Sequence, residues 1–141
     1  VLLPTDECHE TLQLKLQLAA RKLATRVASD FRSMWNTSQP QSGGSYWPKL
    51  TDADRTLDFT GPVAEILRLC RAFGQHECIA HVGAIALYVR HAAGWPETHD
   101  YLPGTVVHHY RRSLVVAARD GFIALLDWSA FPPPTRALNG L

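Results

Sequence analysis

The sequence predicts an α+β fold: a long N-terminal helix, a linker, a second helix and a small antiparallel β-barrel. Three observations carry this expectation. An apolar stripe recurs at steps of three and four from Leu12 to Met34. A polar stretch rich in Ser, Gly and Gln follows it. Short alternating runs, two of them joined by Asp120-Gly121, then fill the second half of the chain. Steps of three to four mark one face of a helix, and strict alternation marks a half-buried strand.

The first helix is expected to start at Pro4-Thr5-Asp6-Glu7. Thr5 or Asp6 can accept hydrogen bonds from the free N–H groups of the first turn, and Glu7 and Glu10 suit its positive end. Leu12, Leu16, Ala19, Leu23, Val27, Phe31 and Met34 then line one face. The run Leu12-Gln13-Leu14-Lys15-Leu16-Gln17-Leu18 also alternates, as a strand would. Length and the excess of Ala, Lys, Arg and Leu decide for the helix. Asn36 to Ser45 reads as a linker by composition. Its continuation, Tyr46-Trp47-Pro48, is aromatic enough to be expected to pack against something.

A second helix is expected from Thr60-Gly61-Pro62, because proline at a helix start sacrifices no hydrogen bond. Val63, Ile66, Leu67, Cys70 and Phe73 form its apolar face, Glu65, Arg68 and Arg71 look outward, and Gly74 is a natural stop. Strands are expected at 78–82, 84–90, 104–110, 113–118 and 122–128. Asp120-Gly121 between two such runs is a hairpin signal. Short strands beside one helix point to a small OB-like barrel. The expected organisation is 1–35 helix, 36–48 linker, 49–131 compact domain and 132–141 tail after Pro132.

Composition narrows the function classes. A chain of 141 residues has room for one sizeable core. With 46% apolar and 19% charged residues, it is not disordered throughout. A formal charge of +1 gives no general pull toward nucleic acid or anionic lipid. Three cysteines do not form a disulfide framework, and free thiols fit a cytoplasmic location. No stretch reaches the roughly 18 apolar residues of a membrane span, and no membrane association is expected. Because the chain opens on Val1 and enters a helix almost at once, it is expected to be a processed product or a piece of a longer protein.

Several short motifs occur in a specific order. They are Tyr46-Trp47-Pro48-Lys49-Leu50-Thr51-Asp52-Ala53-Asp54, Leu57-Asp58-Phe59, Pro62-Val63-Ala64-Glu65-Ile66 and Arg71-Ala72-Phe73. Pro103-Gly104-Thr105-Val106 and the Asp120-Gly121 hairpin come later. Together they resemble the carboxy-terminal part of the formyltransferase family, of the methionyl-tRNA formyltransferase type. The stretch from Asp6 to Leu23 is similar to the segment and helix that close the family's catalytic domain. The resemblance spans about residues 5–128. It breaks at Gly74-Gln75-His76-Glu77-Cys78, where the family has a Pro-rich turn, and after Gly94. It implies that the catalytic Asn-His-Asp set and the formyl-tetrahydrofolate pocket belong to a Rossmann-like domain outside this sequence. No residue here matches that set, so no catalytic or cofactor-binding residue is assigned.

The remaining clusters read mostly as structure. Asp52, Asp54 and Asp58 have the spacing of turn and cap residues. Cys70, His76, Cys78 and His81 are metal-capable types, but their spacing fits no closed zinc pattern, and no metal is expected. His108 and His109 are neighbours on a strand, point to opposite faces and cannot share one ion. His109, Arg111 and Arg112 are the candidate contact for substrate or RNA, and the resemblance implies a role in holding tRNA. Leu12, Leu16, Leu23 and Trp47 are the candidate interface with a protein partner. Trp95 and Trp128 read as packing residues. No nucleophile elbow and no phosphate loop occurs. The expected function is a non-catalytic module for scaffolding or substrate docking. Two alternatives are part of a complete formyltransferase and a stand-alone interaction subunit.

Overall fold

A computed structural model describes residues 3–132. Beyond Pro132, the expected tail lies outside the described residues. The chain divides between Leu50 and Thr51 into two compact units.

The first unit is helical. Helix α1 spans His9–Ser29 and α2 spans Phe31–Asn36. The expected single helix is therefore broken, at Asp30, whose φ of −142° and ψ of 45° leave the helical region. Aspartate is a weak helix former because its carboxylate competes for nearby backbone groups. The start also differs from expectation. Thr5 and Asp6 lie in a turn closed by Glu7 N–H donating to the Pro4 carbonyl (3.2 Å), and Cys8 holds the N-cap position. The Glu7 carboxylate is taken by Thr11 and Lys15, which hold its pKa below the usual carboxylate range, Lys15 first. No residue of α1 is buried. The stretch 38–50 has no regular structure. Tyr46 and Trp47 are 91% and 82% exposed.

The second unit carries the core. Helix α3, Val63–Phe73, starts within one residue of expectation and stops at Gly74, whose N–H donates to the Cys70 carbonyl. Its first N–H, from Val63, is capped from far along the chain by Asp120 Oδ1 at 2.8 Å. Val63, Ile66 and Cys70 are buried, with Leu67 and Phe73 packed beside them.

Five antiparallel strands follow: β1 (Cys78–Val82), β2 (Ile85–Pro96), β3 (Val106–Tyr110), β4 (Ser113–Ala117) and β5 (Gly121–Ser129). Their order is β1-β2-β5-β4-β3. The sheet thus has two ends, β1 and β3, and is open. The OB-like barrel is corrected to an open five-stranded sheet. A parallel bridge between Thr56 and Ile79 and the bond from Leu57 N–H to the Ile79 carbonyl cover part of the β1 edge. Strand β2 runs six residues past its expected end. Its register with β5 shifts on either side of His91, and a bulge of this kind resets the alternation that a sequence reading follows.

Strand β5 is the centre of the unit, and residues Gly121 to Leu125 are all buried. Ile123 faces α3: a Cβ added at Gly94 would lie 2.9 Å from Ile123 Cδ1 and 3.0 Å from Val63 Cγ1. Its neighbour Phe122 points the other way, toward Trp95, His99 and Tyr101.

Candidate functional site

The turn between β3 and β4 carries the candidate contact residues. Arg111 has a φ of 56°, a left-handed conformation uncommon for a residue with a side chain. This tight turn brings His109 back onto its own loop, where its Nε2 lies 2.8 Å from the Arg111 carbonyl. A carbonyl only accepts, so this nitrogen carries the proton. The Arg111 guanidinium lies 5.3 Å from the Tyr110 ring centroid, over its face. The Arg112 carbonyl accepts from Trp128 Nε1 across to β5. His109, Arg111 and Arg112 are all exposed, so the turn presents two guanidinium groups and one aromatic ring to solvent. A register shift separates Val106 from His108, so β3 carries a bulge there.

The acidic residues hold local structure. Thr51 and Asp54 form a capping box, with the Thr51 N–H and hydroxyl both donating to Asp54 Oδ2 at 2.7 and 2.8 Å. Asp58 Oδ1 accepts from the Thr60 N–H and hydroxyl. Asp52 Oδ1 accepts a fork from Arg55 Nε and Nη2 at 2.9 and 2.7 Å. The Thr51 and Thr60 donors hold the Asp54 and Asp58 carboxyls below the usual carboxylate range. A depressed folded-state pKa adds stability above the unfolded-state value and loses it as pH falls through the folded value. The double variant Asp54→Asn, Asp58→Asn is therefore expected to flatten the loss of thermal stability below about pH 4. Melting temperatures of both proteins between about pH 2 and 6 check this.

The metal-capable residues do not converge. Cys70 and Cys78 are buried in the core, whereas His76 and His81 are exposed. The hydrogen bond with Cys70, followed by burial, pushes the Cys78 thiol above the ordinary thiol range. It stays protonated at neutral pH and is a poor nucleophile. Among the described residues, no three His, Cys, Asp or Glu side chains are grouped to hold a metal ion.

Along α1, Leu12 is half-buried while Leu16 and Leu23 are 49% and 53% exposed. Leu14, Leu18, Phe31 and Trp35 are exposed as well. The apolar surface is thus wider than the stripe Leu12-Leu16-Leu23 and continues into α2.

One cluster escaped the sequence reading. Glu77 is buried, at 4% exposure, with a left-handed φ of 60°. It stands where the family motif breaks. Arg90 Nε lies 3.4 Å from Glu77 Oε1 and 3.3 Å from Asp127 Oδ2, while Glu77 Oε2 has no hydrogen-bond partner. Arg55 Nη1 closes the same turn by donating to the His76 and Glu77 carbonyls. A carboxylate in a polar turn gives no sequence signal of burial. Only the backbone reversal at Glu77 turns it inward.

The family model described as "Formyl transferase, C-terminal domain" matches residues 49–130, more than half of the chain. The chain belongs to this family. It is 30% identical over 92 residues to a methionyl-tRNA formyltransferase of Nitrosococcus oceani, a match covering 64% of this chain and 28% of that protein. The crystal structure of a HypX variant from Aquifex aeolicus shares the fold, with a TM-score of 0.59 and 17% identity over 87% of this chain and 22% of that one. The chain therefore spans less than a third of the length of either protein. In this C-terminal formyltransferase domain no helix among the described residues is long and apolar enough to cross a membrane.

Proposed function

We propose that this chain is the non-catalytic C-terminal module of a formyl-tetrahydrofolate-dependent formyltransferase-like protein. It scaffolds the protein or docks its substrate, while another segment or another chain performs the chemistry. One observation carries this reading. A helix of 21 residues has no buried residue, although four of its leucines, Leu14, Leu16, Leu18 and Leu23, are 49–61% exposed. Helices in water draw most of their stability from burying an apolar face, and exposed apolar surface of this kind marks an interaction site. The surface of a formyltransferase catalytic segment is the partner this reading assigns to it. Formyl-tetrahydrofolate binds that partner, and this chain alone does not bind it.

Within the same reading, the β3–β4 turn with Tyr110, Arg111 and Arg112 is the part that meets the substrate. The Tyr110–Arg111 stack suits a phosphate-bearing partner such as tRNA. Three unpaired cysteines fit a cytoplasmic setting.

The test is an intact mass of the native protein under conditions that preserve complexes. A mass near 15.7 kDa with a second chain bearing the catalytic segment makes this a dedicated subunit. A much larger single polypeptide places formyl transfer within one protein. A partnerless chain overturns the reading. In either supporting case, Leu16→Glu with Leu23→Glu is expected to weaken binding to the isolated catalytic segment at least about tenfold, because burying one leucine contributes about 1.5–3 kcal/mol. Titration calorimetry measures this.

A further inference from the structure

We propose that His99 is a pH-sensitive latch that holds Tyr101 over Phe122 and lets go of Tyr101, though not of Gly121, when the imidazole gains its second proton. The segment 97–102 follows β2 in the part of the sequence where the family motifs lapse. Its ends are tied. Glu97 N–H donates to the Asp120 carbonyl at 3.0 Å, and Trp95 Nε1 donates to Glu97 Oε2 at 2.7 Å. Downstream, Thr105 N–H donates to the Leu102 carbonyl and Gly104 N–H to the Ala117 carbonyl. Between these anchors, the described hydrogen bonds are the two made by His99. Its Nε2 lies 3.0 Å from the Gly121 carbonyl, and its Nδ1 accepts from the Tyr101 N–H at 3.2 Å.

These two bonds fix one protonation state. A carbonyl oxygen only accepts, so Nε2 carries hydrogen. A backbone N–H only donates, so Nδ1 is bare. The ring is the neutral Nε2–H tautomer. A second proton has one place to go, Nδ1, where it faces the Tyr101 N–H donor to donor. The Tyr101 bond is then lost. The His99 ring lies 4.6 Å from Phe122 and 5.8 Å from Tyr101, centroid to centroid, and Tyr101 in turn lies 6.2 Å from Phe122. Releasing Tyr101 therefore loosens the cover of Phe122, which is 8% exposed in the closed form.

The titratable and charged groups next to the ring in the chain are Glu97, Asp100 and Tyr101, and Arg119 and Asp120 precede the Gly121 that the ring bonds. From strand β5, Phe122 and the Gly121 carbonyl meet the ring. Trp95 Nε1 donates to the Glu97 carboxylate and the Val63 N–H to Asp120 Oδ1.

The experiment is an NMR titration of the isotopically labelled full chain from about pH 7.5 to about pH 5, with His99→Asn as control. Asparagine places an acceptor near Nδ1 and does not titrate. The expected result is the Nε2–H tautomer at neutral pH. As His99 protonates, the Tyr101 amide should lose about fivefold in exchange protection, the factor of one hydrogen bond, and the Phe122 ring signals should shift over the same range. The Asn variant should show neither change. An Nδ1–H tautomer at neutral pH, a Tyr101 amide unmoved by His99 protonation, or the same response in His99→Asn overturns the proposal. If that variant does not fold, the tautomer and the Tyr101 titration in the native chain decide.

Discussion

Replacing Gly121 with alanine is expected to destabilise the second unit by at least about 3 kcal/mol. Gly121 opens β5 opposite Pro96 at the end of β2. A Cβ built there would lie 2.1 Å from the Trp95 carbonyl oxygen, 2.7 Å from Pro96 Cα and 2.9 Å from Glu97 N. All three are backbone atoms, so no rotamer change relieves the overlap. The two strands must separate at this end. Separation would also disturb the Ala118 N–H bond to the Gly121 carbonyl, the Glu97 N–H bond to the Asp120 carbonyl and the Asp120 cap on α3. One methyl group thus strikes the hairpin, the β2–β5 pairing and the helix start together. Urea denaturation followed by circular dichroism checks this. A variant with the native midpoint would show that the β2–β5 junction is looser than described here.

Truncating Ile123 to alanine is expected to cost about 2–5 kcal/mol, the range for large-to-small changes at closed core sites. Ile123 is fully buried as the third residue of β5, among the largest completely enclosed side chains. It pairs with Gly94 on β2 and Val116 on β4, and lies beside Val63 of α3. These neighbours are held by the sheet ladder and by a capped helix, so the cavity cannot collapse cheaply. Truncating Ile85 is the contrast. That side chain is 58% exposed in the β1–β2 hairpin, and the change is expected to stay within about 0.5 kcal/mol. Equal losses at both positions would mean the core is not centred on β5.

Much of the second unit was legible in local patterns. Pro62 and Gly74 bracket α3 because each acts on its own backbone, one lacking an N–H and the other free of a Cβ. Asp120-Gly121 marked its hairpin for the same reason. The acidic residues read as turn chemistry, and Asp54 and Asp58 bond to threonines three and two residues away. Elsewhere local patterns misled. Leu12 to Met34 keeps its spacing straight through Asp30, yet the helix breaks there, because side-chain periodicity does not register a backbone kink. The alternation in β2 stops at the bulge around His91, so residues 91–96, most of the length that pairs with β5, were missed.

The basic turn shows the limit at a candidate site. The sequence places His109, Arg111 and Arg112 together, but the left-handed φ of Arg111 turns His109 back onto the loop and leaves the arginines outward. Glu77, Arg90 and Asp127 were invisible as a group, since the turn before β1 and strands β2 and β5 bring them together from separate parts of the chain.

By itself, the sequence determined the α+β class, the extent of α3, the family motifs and the apolar face of α1. These follow from interactions between residues a few positions apart, or from motif order. Only the tertiary structure decided that the sheet stays open, that β5 forms its centre, that Asp120 caps α3 and that Glu77 turns inward. Each of these depends on which distant strands pair and in what register. That choice is made by the total burial of the core, a quantity no short segment of the sequence contains.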